Sequence, residues 1–314
     1  GNALGNLFSG GGGADRFVGG LGSDVYLVGA GDIVVERPGE GSDEVRTALA
    51  AYTLTSDVER LVGTSAGGQS LTGNALANVI AGGSGNDRID GGGGADHLAG
   101  GLGDDVYFMG QLGDIVVEAS NAGTDELRTS LADTVAPANV ENLTGLLNTG
   151  QTLRGNSLDN IIAGGSGADR FVGGLGNDTY IVGAGDNVVE KAGEGIDEIR
   201  TGLSTYTLPS DVERLAGSGA GQTLAGNALA NLIVGGGGAD RLSGGAGADI
   251  FRYQATSESS AAVRDHLLDF TPGSDRIDLE RIDAKSNVAG DQAFTWIGSS
   301  AFTGVAGQLR AYQS

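Results

Sequence analysis

A chain of 314 residues would ordinarily make two globular domains, but 60 of them are Gly and only 5% are aromatic, a composition that disfavours the compact core of an ordinary enzyme. Acidic residues outnumber basic ones 40 to 18, and the formal charge of -22 disfavours nucleic acid and anionic membranes as partners. A hydrophobic fraction of 39% is too high for charge-driven disorder, so something must neutralise the acids, and multivalent cations are the obvious candidate.

The absence of Cys excludes disulfides, thiolate metal sites and thiol catalysis. The N-terminal stretch Gly1-Asn2-Ala3-Leu4-Gly5-Asn6 has neither the charged nor the apolar region of a signal peptide. The uncharged run 61–86 is full of Gly, Ser, Thr and Asn and does not read as a membrane span.

Along the chain, the nonapeptide Gly-Gly-x-Gly-x-Asp-x-U-x, with U large and apolar, recurs in four blocks. The first block places Gly10, Gly11, Gly13 and Asp15, then Gly19, Gly20, Gly22 and Asp24, at the motif positions. The second repeats them as Gly82, Gly83, Gly85 and Asp87; Gly91, Gly92, Gly94 and Asp96; and Gly100, Gly101, Gly103 and Asp105. The third has Gly164, Gly165, Gly167 and Asp169, then Gly173, Gly174, Gly176 and Asp178. The fourth has Gly235, Gly236, Gly238 and Asp240, then Gly244, Gly245, Gly247 and Asp249. Position eight is bulky throughout, as Phe17, Tyr26, Ile89, Leu98, Tyr107, Phe171, Tyr180, Leu242 and Phe251, and is read as core.

A weaker copy opens each block at Gly1, Gly73, Gly155 and Gly226, with Asn78, Asn160 and Asn231 replacing the carboxylate in the last three. These openings lie 72, 82 and 71 residues apart, within one residue of whole numbers of nonapeptides. The beat therefore persists between blocks, where degenerate copies carry Asp43, Asp125 and Asp197, the second with Asn121 in place of a Gly. A matched set beginning at Gly31-Asp32, Gly113-Asp114 and Gly185-Asp186 ends in Glu36, Glu118 and Glu190. Segments such as Tyr52-Thr53-Leu54 read as short strands between turns.

The spacing has a physical reading. Gly reaches positive φ at little steric cost, so six Gly-rich residues turn tightly and leave carbonyl oxygens free to point inward. The remaining x-U-x extends as a short strand with one side chain inward. Alternating turn and strand predicts an all-β fold, a right-handed parallel β-roll or β-solenoid with two nonapeptides per revolution and strands stacked at roughly 4.8 Å. Turns one revolution apart then superpose, and their Asp carboxylates and Gly carbonyls form an all-oxygen cage suited to Ca²⁺. Mg²⁺ prefers stricter octahedral coordination, and Zn²⁺ prefers the His and Cys that are scarce or missing here. Several Ca²⁺ ions are implied: 11 would cancel the charge of -22, and on the order of 6 to 10 stacked turn pairs are available.

The nonapeptides resemble the RTX (repeats in toxin) family of extracellular bacterial proteins with calcium-dependent β-rolls. In that family the position-six Asp is the side-chain ligand, which the resemblance carries to the nine strict Asp residues and less securely to Asp43, Asp125 and Asp197. It also implies export as an unfolded chain by a type I ABC transporter, with folding outside the cell. Residues 248–294, including Asp265-His266-Leu267 and Asp275-Arg276-Ile277-Asp278, resemble the C-terminal module of serralysin-type metalloproteases, which caps the roll and carries the secretion determinant. The expected division is a roll over 1–252, in superrepeats 1–72, 73–154, 155–225 and a final block 226–252, followed by a C-terminal module over 253–314. Both ends read as cut, so the chain is expected to be a piece of a longer protein.

Catalytic material is sparse. His97 and His266 read as structural or surface residues, and no His-Glu-x-x-His zinc site occurs. Gly63-Thr64-Ser65-Ala66-Gly67 matches the hydrolase elbow, but Gly217-Ser218-Gly219-Ala220-Gly221 has Gly at the serine position, and no strand-turn-helix context surrounds either. Glu36, Glu118 and Glu190, and likewise Glu59, Glu141 and Glu213, read as a solvated face, with auxiliary Ca²⁺ or a cation-bridged partner as the alternative. Arg46, Arg128 and Arg200 read as charge ladders, and Trp296 as core. The function expected is a noncatalytic calcium-binding structural and secretion module of a larger extracellular protein. Its rivals are a polysaccharide- or surface-binding module, as in adhesins or alginate-epimerase R-modules, and part of a hydrolase or protease with its catalytic domain upstream.

Overall fold

The computed structural model describes residues 1–260, 263–282, 294–296, 300, 303, 305 and 308–309, and among them every regular element is a β-strand. The chain forms a parallel β-solenoid, as the period predicts, in two compact units, Gly1–Asp197 and Glu198–Ser314. No helix among the described residues is long and apolar enough to cross a membrane.

Strands are short because each nonapeptide spends most of its length on the turn. Arg16–Val18 and Arg88–Asp90 each bury only their central residue, the position-eight side chain, as the two-residue alternation of a strand requires. In the first unit consecutive strands join opposite sheets, so partners within one sheet lie about one revolution apart in sequence. One interior ladder runs Phe8, Tyr26, Val45, Leu61, Ile80, Leu98, Val116. Another runs Tyr52, Leu71, Ile89, Tyr107, Leu127, Leu143, Ile162, Tyr180. Turns of different length are absorbed without slipping this register, since a one-residue slip would turn every buried side chain outward.

The second unit pairs Ile199, Leu215, Ile233, Phe251 and Ile277 in one ladder and Tyr206, Leu224, Leu242 and Leu267 in another. Parallel pairing there continues past Arg252, the end of the last nonapeptide, to the strand Arg276–Asp278. All nine position-eight residues are buried, and Tyr26, Tyr107, Tyr180, Phe171 and Phe251 are among the largest fully buried side chains. Each such side chain contributes on the order of 2 kcal/mol by burial. The side chain of Trp296, expected in the core, lies outside the described residues, as do Asp283, Ala284 and 290–293.

In eight of the nine strict repeats the second and fourth positions take left-handed backbone, illustrated by Gly20 at φ 89° and Gly22 at φ 113°. Asn121 keeps φ 60° where Gly39 and Gly193 have 78° and 84°, so the degenerate second copy retains its turn, Asn being one of the few other residues that tolerate this region.

Candidate metal centre

Each strict turn folds its Asp side chain back over the first Gly of the same repeat. A Cβ on Gly235 would stand 2.9 Å from Asp240 Oδ2, so the first position must lack a side chain for the carboxylate to reach inward. Eight of these nine aspartates are buried to 2% exposure or less; Asp15, in the first strict turn, is half-buried.

The two oxygens of each carboxylate have different fates. In eight of the nine, Oδ1 accepts a backbone N–H from the turn one revolution earlier, at 2.7 Å from Asn6 to Asp24, 2.7 Å from Asp87 to Asp105 and 2.8 Å from Asn231 to Asp249. Oδ2 of all nine, Asp15, Asp24, Asp87, Asp96, Asp105, Asp169, Asp178, Asp240 and Asp249, is buried without a hydrogen-bond partner. An ionised oxygen out of water and unpaired carries a desolvation penalty of several kcal/mol, so a row of them calls for cations. The donors are hard oxygens on stacked turns, which fits Ca²⁺. Burial pushes Asp87, Asp96, Asp169, Asp240 and Asp249 upward, and raises Asp105 to about 6 and Asp178 to about 7.

Residues 1–32, 72–107 and 154–189 match the model of the RTX calcium-binding nonapeptide repeat, and residues 208–311 match that of the Peptidase M10 serralysin C terminal. The nonapeptides of the first three blocks are RTX calcium-binding repeats, and the fourth block lies within the serralysin-type match. They are joined to a serralysin-type C-terminal domain, a combination typical of secreted extracellular proteins. No curated protein matches the chain. Neither matched model describes a catalytic domain.

The degenerate copies join the same stacks. Asp43, Asp125 and Asp197 are 1% exposed and accept the N–H groups of Asp24, Asp105 and Asp178 at 2.8 Å each. The Asn copies behave differently. Asn78 Oδ1 accepts the Asn74 N–H at 2.8 Å, while its Nδ2 donates to the Val58 carbonyl at 3.1 Å. Asn160 and Asn231 repeat this pattern on Val140 and Val212. One nonapeptide earlier, Gln69, Gln151 and Gln222 do likewise, donating at 2.6 Å to the carbonyls of Leu49, Leu131 and Leu203. These glutamines had no motif to mark them, although their nine-residue offset from the Asn copies was visible.

The solvated-face reading of Glu36, Glu118 and Glu190 is wrong. They are only 7%, 8% and 8% exposed, and accept hydrogen bonds from the hydroxyls of Tyr26, Tyr107 and Tyr180. The reason is strand parity: Val34, Val116 and Val188 point inward, and the glutamate two residues later shares that side. Burial, reinforced by Asp43 and Asp24, pushes Glu36 up to about 7. Burial and Asp125 take Glu118 to about 7, and burial with Asp197 and Asp178 takes Glu190 to about 8. Glu59 and Glu141 are half-buried and accept the N–H groups of Asp43 and Asp125 at 2.8 Å; Glu213 is also half-buried.

Other acids also enter the stacks. Asp32, Asp114 and Asp186 accept the N–H groups of Asp15, Asp96 and Asp169, and their second oxygens take N–H groups of their own turns. In the serralysin-type segment Asp265 and Asp275 cap Asp240 and Asp249 at 2.9 and 3.1 Å. Asp265 Oδ2 is buried and unpaired, and burial pushes this carboxyl up to about 6. His97 and His266 are exposed, and Ser65 Oγ accepts the Gly67 N–H within a turn. The ladder reading of Arg46, Arg128 and Arg200 is corrected: each pairs with a glutamate two residues away on its own strand, Glu44, Glu126 and Glu198, while Arg60 reaches Glu44 from the next strand of the sheet; the hydrogen bonds from arginine outweigh burial and hold Glu44 and Glu126 below their ordinary range.

Proposed function

We propose that this chain is the calcium-folded RTX region of a larger type I-secreted extracellular protein, serving as its structural and secretion module. The observation that carries this reading is the buried, unpartnered Oδ2 of every strict position-six Asp. These nine aspartates, with Asp43, Asp125 and Asp197, supply side-chain ligands, and carbonyl oxygens of the Gly-rich turns complete the shells of several Ca²⁺ ions. The ion contributes folding free energy because the unfolded chain has no preformed cage. In the calcium-poor cytoplasm the stacked carboxylates repel, which keeps the chain unfolded for an ABC-transporter channel. Outside, calcium drives folding, and the C-terminal module over 253–314 caps the roll. Circular dichroism in EGTA, then in millimolar Ca²⁺, tests this: a β signal is expected only with calcium, and a signal indifferent to calcium sinks the reading.

A second reading, retention of an acidic polysaccharide, has one observation in its favour. The Arg88 guanidinium lies 3.8 Å from the Phe108 ring centroid and that of Arg128 5.7 Å from it, beside a depression of about 200 Å³ lined by Phe108, Met109 and Arg128. Calcium-dependent retention on alginate that Phe108→Ala abolishes is the result this reading requires.

A further inference from the structure

Three places in the first unit gather more oxygen ligands than a nonapeptide turn provides. Asp24, Glu36 and Asp43 form one group, Asp105, Glu118 and Asp125 a second, and Asp178, Glu190 and Asp197 a third. Within each group one oxygen per carboxylate lies within 4.8 Å of the others, and all nine residues are buried. Oxygens on opposite sides of one Ca²⁺ stand about 4.6–5.2 Å apart, so each group has the span of a single coordination shell.

Two independent features point to a ligand. Glu36 and Glu190, each more than nine-tenths buried, leave Oε2 without a partner beside the unpartnered Oδ2 of Asp24 and Asp178; in the second group Asp105 and Asp125 leave theirs. The space these oxygens face is kept open by a missing side chain. A Cβ on Gly19 would project against Tyr26 Oη, Asp24 Oδ2 and Glu36 Oε1, and one on Gly100 or Gly173 would meet the equivalent Asp and Tyr oxygens.

The sequence arranges this combination three times. Of the nine strict repeats, only those carrying Asp24, Asp105 and Asp178 have Tyr at position eight, and each is followed by the inward glutamate. The second copy has one extra residue between Tyr107 and Glu118, yet the interval from glutamate to the following Asp stays at seven residues and the same contact forms. A glutamate serving only as spacer on a wet face would have no reason to meet a phenol inside the solenoid in every copy.

We propose that these three groups are additional divalent-cation sites, with Ca²⁺ as occupant, in which the aspartates bridge to the neighbouring turn sites and Glu36, Glu118 and Glu190 supply a carboxylate from outside the nonapeptide. The adjacent Tyr hydroxyl orients the glutamate. The proposal rests on the calcium reading above and adds three charge-rich sites to the turn sites. Three carboxylates about one cation favour Ca²⁺ over Mg²⁺, whose smaller octahedron a wide cage of this kind does not match.

Equilibrium dialysis with radiolabelled Ca²⁺ on the whole chain tests it through the E36Q/E118Q/E190Q variant, which removes the three charges and keeps an acceptor for each Tyr hydroxyl, losing besides only the acceptor that Glu118 Oε2 offers the Ala119 N–H. The variant is expected to fold in calcium and bind three fewer ions at a calcium concentration that saturates the wild type, or to need at least tenfold more calcium for those three. An unchanged count and affinity overturns the proposal while leaving the turn sites standing. No calcium bound by the wild type overturns both readings. If the triple variant does not fold, E36Q, E118Q and E190Q are measured singly; each is expected to lose one ion, and full retention in all three refutes the assignment.

Discussion

Asn78 and Asp87 occupy the same position of successive nonapeptides, and the difference between their turns comes down to one atom. Both side chains accept a backbone N–H through Oδ1. The second atom of Asn78 is a donor and takes carbonyl oxygens of Val58 and Glu59, whereas that of Asp87 is an acceptor and has nothing to accept. The amide turns are complete within the protein, and the acidic turns are not. Each superrepeat therefore joins turns closed by Gln and Asn to turns that await a cation. This divides the roll into parts that hold together alone and parts whose folding is tied to calcium.

The largest effect should come from removing the ion. In EGTA, hydrogen exchange should be fast at amides bonded to position-six carboxylates, such as those of Asp87 and Asn231, because those stacks lose their only counter-charge. If any structure survives, protection should remain first at amides bonded to side-chain amide oxygens, such as those of Leu147 on Gln151 and Asn156 on Asn160. Equal protection in both kinds of turn would erase the contrast.

Acid should partly replace calcium. Carboxyls raised in the folded state, Asp178 and Glu36 to about 7 and Glu190 to about 8, bind protons there at a pH where the unfolded chain has lost them. Their contribution to stability is fully present below the ordinary carboxylate range near pH 4 and is lost as pH rises through about 7 to 8. The calcium-free chain should therefore show more β structure at about pH 5 than at about pH 8. With calcium bound the trend should reverse, because protons and cations compete. A calcium-free chain that gains structure on going alkaline would contradict the buried placement of these acids.

Exchanging the two side chains sharpens the comparison residue by residue. Asn78→Asp puts a carboxylate where an amide donated to two carbonyls, and should cost about 3 kcal/mol in the absence of calcium. Asp87→Asn should leave the calcium-free chain more stable by about 1 kcal/mol and lower its calcium uptake. Denaturant titrations with and without calcium measure both, and the same sign for the two exchanges would show that position six is not what separates the turns.

Much of this was legible in the sequence because a solenoid converts period directly into register. Position eight fixed the buried ladders from Tyr26 to Leu98, and position six located every strict aspartate. Legibility failed where the motif stopped but the geometry continued. The charge and recurrence of Glu36 point to the outer face, whereas its parity with Val34 places it inside. Asp265 and Asp275 cap turns 25 and 26 residues earlier, too far for a search at the 18-residue revolution to find them. The Gln set carries no motif, because a buried amide is defined by the carbonyls it reaches, and these come from a turn about 20 residues away.

The smallest effect should lie on the outer face, where charges are also paired but water screens them. Arg46 lies 2.5 Å from Glu44 with half of its side chain exposed, and Arg60 shares the same carboxylate at 3.0 Å. An exposed pair of this kind contributes about 0.5 kcal/mol, since side-chain ordering and solvent screening offset most of the attraction. Arg46→Ala should therefore shift the calcium-loaded melting temperature only slightly, and added salt should shrink the shift further. Glu36 differs from Glu44 in what surrounds it: one faces a phenol and two aspartates out of water, the other faces guanidinium groups at the surface. If Arg46→Ala proved as damaging as Asn78→Asp, the energetic division between interior and outer charges would fail, and calcium would have to act on the roll as a whole rather than at its incomplete turns.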